Sequence, residues 1–136
     1  MFFRRNRSTA GKLESGDKDI SGKLSFSDGS VYEGQLKNGM AHGKGTLTFG
    51  DGRKFVGPFV KGRPQGEDCQ LIFPDGRKYV GSYQGGKRQG WGMMFFPDGS
   101  IYKGYWKNDL PQGEGAMTLP DGTVEKGTWR RGRKVK

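Results

Sequence analysis

The dipeptide Asp-Gly recurs at Asp28-Gly29, Asp51-Gly52, Asp75-Gly76, Asp98-Gly99 and Asp121-Gly122, at intervals of 23, 24, 23 and 23 residues. A period of this length marks a chain built from one small supersecondary unit that must stack on copies of itself to bury anything. Other positions keep phase with it. Four residues after each Asp stand Tyr32, Phe55, Tyr79, Tyr102 and, in the last unit, Glu125. Six after it stand Gly34, Gly57, Gly81, Gly104 and Gly127, and eight after it Leu36, Phe59, Tyr83, Trp106 and Trp129. Two before it come Phe26, Phe49, Phe73, Phe96 and Leu119, preceded at two further residues by Leu24, Leu47, Leu71, Met94 and Met117.

Apolar residues alternate with others on both sides of each Asp-Gly, the period-2 pattern of a strand with two different faces. No helical periodicity is present in residues 19–129. Each unit therefore reads as a β-hairpin closed by an Asp-Gly turn, with a longer glycine-rich return such as Lys37 to Gly43. A three-residue loop of Asp98, Gly99 and Ser100 would set Phe96 opposite Tyr102, and likewise Phe49 opposite Phe55 and Phe73 opposite Tyr79. Composition agrees: hydrophobic content is only 31%, too low for a thick core, while 12% aromatic content is too high for a disordered chain. With strands about 4.8 Å apart, two strands advance about 10 Å per unit, and five units make a body about 50 Å long.

The stretch Tyr32-Glu33-Gly34-Gln35-Leu36-Lys37-Asn38-Gly39, continuing through His42-Gly43-Lys44-Gly45-Thr46-Leu47-Thr48-Phe49, resembles the MORN (membrane occupation and recognition nexus) repeat. So does Tyr102-Lys103-Gly104-Tyr105-Trp106-Lys107-Asn108 with Gln112-Gly113-Glu114-Gly115. The resemblance spans residues 20–132 and implies an all-β, single-layer antiparallel solenoid of about five stacked β-hairpins, an elongated and curved half-pipe. The chain divides into a basic N-terminal tail (1–18), the array (19–129) and a basic C-terminal tail (130–136). Three departures stand out: Glu125 in place of an aromatic, a first unit that begins as a half-repeat, and one extra residue at Asp68-Cys69, where a bulge is expected.

The formal charge is +10. Residues 1–18 hold five basic and two acidic side chains, residues 130–136 five basic and none acidic, and residues 19–129 14 basic against 12 acidic. The basicity thus falls at the two ends, which disfavours nucleic acid as a partner, since such domains carry a basic stripe on the folded body. Arg4, Arg5, Arg7, Arg130, Arg131, Arg133 and Lys134 are candidates for contact with an anionic membrane, each worth about 1 kcal/mol near such a surface. The competing reading is that these charges only aid solubility and discourage edge-to-edge pairing.

Two apolar features are candidates for recognition. Tyr32, Phe55, Tyr79, Tyr83, Tyr102 and Trp106 form an aromatic ladder, which is either plain core or also the lining of a groove open to a partner. On the opposite face, where Glu33, Gln35, Thr46, Thr48, Thr118 and Lys126 are polar, one hairpin breaks the pattern with Trp91, Met93 and Phe95. The register above puts Tyr105 opposite Met93 and Ile72 opposite Val80, making one contiguous patch, the kind that marks an interface.

Catalytic and metal-binding constellations are missing from the sequence. His42 is the sole histidine and takes the position of Gln65, Gln89 and Gln112, so it reads as a turn residue. Cys69 has no sequence neighbour that would activate it, and one cysteine makes no internal disulfide. No cofactor and no enzymatic activity are expected. The N-terminal residues lack the apolar run of a secretory signal, and a cytoplasmic, membrane-associated or free, location is expected. The family resemblance implies a scaffold or adaptor for a protein partner. A peripheral membrane binder, a homodimer and an accessory module for a separate enzyme are the alternatives.

Overall fold

The computed structural model describes residues 20–136 as one antiparallel meander of twelve strands. They are β1 (Ile20–Ser25), β2 (Val31–Lys37), β3 (Met40–Thr48), β4 (Lys54–Val60), β5 (Arg63–Pro64), β6 (Gly66–Ile72), β7 (Lys78–Gln84), β8 (Lys87–Phe95), β9 (Ile101–Lys107), β10 (Leu110–Thr118), β11 (Val124–Arg130) and β12 (Arg133–Lys134). The sheet follows chain order, with the two-residue β5 pairing only with β4. All Asp-Gly turns therefore lie along one long edge and all return turns along the other.

The Asp-Gly turn is built one residue earlier than the sequence suggested. The Phe96 N–H donates to the Ser100 carbonyl at 2.9 Å, and the Gly99 N–H donates back to the Phe96 carbonyl at 3.0 Å. The loop is thus Pro97-Asp98-Gly99, with Gly99 at φ 94°, a conformation that favours glycine. The Asp98 carboxylate accepts the Ser100 N–H at 2.8 Å and fixes the turn. Moving the loop moves every partner by two residues. Tyr102 lies opposite Met94 rather than Phe96, Phe55 opposite Leu47 rather than Phe49, and Tyr79 opposite Leu71 rather than Phe73. Because the shift is even, each residue keeps its face.

The core lies on one side of this single sheet. A flat sheet cannot bury a ring completely on its own, yet Tyr32, Phe55 and Tyr79 have no solvent exposure. The strands must bend around the rings, and the irregularities that permit this sit in the return halves. Between β2 and β3, β7 and β8, and β9 and β10, the pairing register shifts after Gly34, Gly81 and Gly104. At each of these places a tyrosine lies over a pair of glycines on adjacent strands. A Cβ added to Gly45, Gly92 or Gly115 would overlap the Tyr32, Tyr79 or Tyr102 ring.

One repeat solves the same problem differently. Its aromatic is Phe55, without a hydroxyl, and the residue matching Gly45 and Gly92 is Cys69, fully buried. The extra residue at Asp68 produces a register shift between Gly66 and Cys69, as the sequence indicated. The Pro58 carbonyl, matching the acceptors of the tyrosine hydroxyls elsewhere, instead receives the Gln65 N–H at 3.1 Å. The cysteine side chain fills the space that a tyrosine edge fills in its neighbours.

The C-terminal segment is not a tail. β11 runs on to Arg130, the chain reverses at Arg131 and Gly132, both at positive φ, and β12 pairs back onto Trp129 and Arg130. The Val135 N–H donates to the Thr128 carbonyl at 2.8 Å, so these residues close the final hairpin. The N-terminal segment 1–18, with Arg4, Arg5 and Arg7, lies outside the described residues.

Introducing Phe55→Tyr alone should lower stability by about 1–3 kcal/mol, because the hydroxyl enters space held by Cys69. Adding Cys69→Gly should recover part of that loss. Denaturant unfolding of the two single variants and the double variant measures the coupling, and strictly additive effects would contradict this packing.

Candidate functional site

Inside the half-pipe the aromatic ladder is closed. Its rings form an unbroken edge-to-face chain, running Tyr32, Phe59, Phe55, Tyr83, Tyr79, Trp106, Tyr102 and Trp129, with centroids 4.9–5.7 Å apart. The polar tips are also occupied. The hydroxyls of Tyr32, Tyr79 and Tyr102 donate to the carbonyls of Gln35, Ser82 and Tyr105 at 2.6, 2.8 and 3.3 Å, and the Trp106 indole N–H donates to the Gly92 carbonyl at 3.2 Å. Burial pushes the Tyr32 hydroxyl up to about 12 and raises the other ladder tyrosines as well. The six proposed groove residues, Tyr32, Phe55, Tyr79, Tyr83, Tyr102 and Trp106, are 0–6% exposed. They are core, and the expectation of an open aromatic groove is corrected: the rings face each other and leave no surface for a partner.

The outer face carries the exposed aromatics. Trp91 on β8 and Tyr105 on β9 are direct cross-strand partners, each 52% exposed, with rings 5.3 Å apart and nearly perpendicular. Val80 pairs with Met93, and Phe95 with Ile101, so the patch spans β7, β8 and β9. This revises the expected pairings: Tyr105 faces Trp91 and not Met93, while Ile72 faces Lys54 and Lys78 and not Val80. Ile72 is therefore marginal, and Ile101, not among the patch residues expected from the sequence, belongs to it. Its signal was present, since Ile101 precedes inward-facing Tyr102 and so must face out.

The same cross-strand position in other repeats shows what the fold needs there. It holds Lys44 opposite Pro58 and Glu114 opposite Thr128. The architecture thus accepts an ion, a proline or a small polar residue, and the aromatic pair is peculiar to one hairpin.

The two long edges differ in charge. The Asp-Gly edge carries Asp28, Asp51, Asp75, Asp98 and Asp121, offset in two repeats by Arg53 with Lys54 and Arg77 with Lys78. Those arginines pair with Asp51 and Asp75 at 2.8 Å and lie over the Phe49 and Phe73 rings at 4.5 and 4.1 Å. The return edge carries Lys37, Lys61, Arg63, Lys87, Arg88, Lys107, Arg130, Arg131, Arg133 and Lys134 against one acid, Asp109. The C-terminal cations Arg130, Arg131, Arg133 and Lys134, expected from the sequence to form a tail, are the last step of this edge. Arg88 is spoken for: its guanidinium, 5.1 Å over the Trp106 ring, pairs with Asp109 at 3.2 Å. Asp109 itself sits at φ 72°, where the matching residues are Gly39, Gly62, Gly86 and Gly132.

His42 behaves as its position implied. Its Nδ1 accepts the Lys61 N–H at 3.3 Å, as the side-chain oxygens of Gln65, Gln89 and Gln112 accept the N–H groups of Gly85, Asn108 and Arg131. Cys69 is buried, and desolvation pushes its thiol up to about 11, away from reactivity. Among the described residues no group of three or more His, Cys, Asp or Glu side chains is placed to hold a metal ion.

The family model of the MORN repeat matches residues 32–52, 79–101 and 102–124, three units in phase with the observed hairpins. The chain is a MORN-repeat protein. No curated protein matches it. Among solved structures, the TCP domain of SAS-4 (dCPAP) of Drosophila melanogaster, in complex with a proline-rich motif of Ana2 (dSTIL), is similar at 12% identity and a TM-score of 0.42, covering 93% of this chain and 98% of that chain. MORN repeats generally mediate protein or membrane interactions, which supports a binding role and leaves its mode open. MORN-repeat proteins are also typically non-catalytic.

The turn aspartates of this MORN array give it a defined acid response. Backbone N–H donors two residues on hold the carboxyls of Asp28, Asp51, Asp75 and Asp98 below the usual range, and the Thr123 hydroxyl and N–H do so for Asp121. A carboxyl whose folded pKa is depressed stabilises the fold fully above its unfolded pKa and loses that contribution as pH falls through the folded value. Stability should therefore fall as the pH drops below the ordinary aspartate range, near about 4. A variant with all five changed to Asn, which keeps the side-chain acceptor, should show a flatter profile in urea titrations. An unchanged profile would contradict this role.

Proposed function

We propose that this MORN-repeat protein is a non-catalytic scaffold that holds a protein partner on its outer sheet face, through the patch centred on Trp91 and Tyr105. The observation that carries the reading is the position of that pair. Two large aromatics stand half-exposed at a place where other repeats carry Lys44 with Pro58 and Glu114 with Thr128. The core does not use them, because its own ring chain is complete without them. Half-exposed tryptophan and tyrosine are the residues most often found at the energetic centre of an interface, where a small group of side chains dominates affinity. Met93 and Phe95 extend the apolar surface along β8, and Val80 and Ile101 widen it onto the neighbouring strands.

The sheet behind the patch supports such a role. Each of the three strands is hydrogen-bonded on both sides, so the patch rests on interior strands rather than on a mobile loop. A rigid platform reduces the ordering cost of association.

Replacing both residues, as Trp91→Ala with Tyr105→Lys, should leave the melting transition near its original position, since neither side chain packs in the core. Affinity capture from a cell extract, with the variant as control, tests the reading. A protein retained by the original chain and lost by the variant is expected. An identical set of captured proteins, or a variant that fails to fold, would count against a binding role for the pair. If light scattering instead shows a dimer that the variant breaks, the partner is a second copy.

A further inference from the structure

We propose that the return edge is a second binding surface, for an acidic polypeptide segment in extended conformation. This surface is separate from the apolar patch and does not depend on it. The sequence taken linearly hides the edge, because its cations are scattered one or two at a time through an array that is nearly neutral. The meander collects them: Lys37, Lys61, Lys87, Lys107 and Arg131 fall at successive steps along one side. Among the described residues, none of these five makes an ion pair.

The edge is also built to hold its geometry. The N–H groups of Gly62, Gly86, Asp109 and Gly132 donate to the carbonyls of Ala41, Pro64, Arg88 and Pro111 in the preceding return, at 2.8–3.1 Å. Together with the His42 and glutamine side-chain clamps, these bonds tie each return turn to the next. The positive charges are thus carried on a fixed backbone ladder rather than on independent loops, which lowers the cost of ordering them around a ligand.

Spacing identifies the partner's form. Two strands per repeat set the cations about 10 Å apart, which is about three residues of an extended chain at about 3.3 Å each. An acidic side chain at every third residue would meet one basic step per repeat. Three exposed apolar residues, Met40, Val60 and Leu110, lie beside these cations at 39–45% exposure and would accept aliphatic groups between the acids. They stand singly and more than half covered, too shallow to enter a bilayer as an amphipathic helix does. Strands in a sheet are rotated by about 20–25° from one to the next, so the edge winds rather than lying in a plane. A flexible chain can follow it along its whole length, whereas a planar membrane meets only part of it. Single-stranded nucleic acid would need exposed rings for its bases, and this edge offers none.

The test uses the full chain and a fluorescein-labelled twelve-residue glutamate peptide, followed by anisotropy at low and physiological salt. Saturable binding that weakens with salt is expected. Lys61→Glu with Lys107→Glu should weaken it by about tenfold. Lys23→Glu with Lys103→Glu makes the same charge change on the outer face and should shift it by less than about twofold. Thermal melts confirm that both variants remain folded. Equal losses from the two pairs would overturn the proposal, leaving only a nonspecific response to net charge. Binding to vesicles containing phosphatidylserine without binding to the peptide would also overturn it, in favour of a membrane surface.

Discussion

A tyrosine ring lying over two facing glycines is the contact on which the rest of this structure depends. A single sheet has no second layer to cover its apolar face. Here the cover is made by bending each strand around a ring, and the bend is possible only where adjacent strands lack side chains. Gly34 with Gly45, Gly81 with Gly92, and Gly104 with Gly115 provide those places. Each ring then meets the aromatic of the next hairpin edge-to-face, so local bends become a continuous core. Phe55 with Cys69 shows that the requirement is for filled volume rather than for tyrosine as such.

This closure decides where function can reside. Once the rings are sealed against one another, the outer face and the edges are the exposed surfaces, and these are where the chain departs from its own repeat. The outer face replaces polar pairs with Trp91 and Tyr105 in one hairpin. The edges sort charge by chain direction: turns that need Asp to fix their geometry fall on one side, and returns that tolerate lysine and arginine fall on the other. Architecture explains the aspartates fully. It explains the position of the cations but not their number.

Much of the fold was legible because its period was. Fixed positions for Asp, Gly and aromatic residues gave the hairpins, the stacking and the bulge at Asp68-Cys69. The turn register differs from the sequence expectation by one residue because Pro97-Asp98-Gly99 and Asp98-Gly99-Ser100 are both acceptable three-residue loops, and only the closure of Phe96 on Ser100 selects between them. The difference preserves faces, so Trp91, Met93, Phe95 and Tyr105 were identified as outward while their partners were not. Two features were beyond a linear reading. Burial of Tyr32 or Tyr79 depends on how far the sheet bends, which alternation does not encode. The basic edge depends on which turns share a side, and net charge per segment averages that away. Arg130 to Lys134 read as a tail in the sequence because their basic composition masks a hairpin set by Arg131 and Gly132.

A closed ring chain leaves only the outer face and the edges in contact with solvent. The three tryptophans report on it directly, because Trp106 and Trp129 belong to the chain while Trp91 stands on the outer face. Fluorine NMR of the protein labelled with 5-fluorotryptophan, in the presence of a paramagnetic agent confined to solvent, reads each position separately. The Trp91 resonance should broaden strongly while those of Trp106 and Trp129 stay sharp. Comparable broadening of all three would mean that the ladder is open to solvent, and would contradict a closed ring chain.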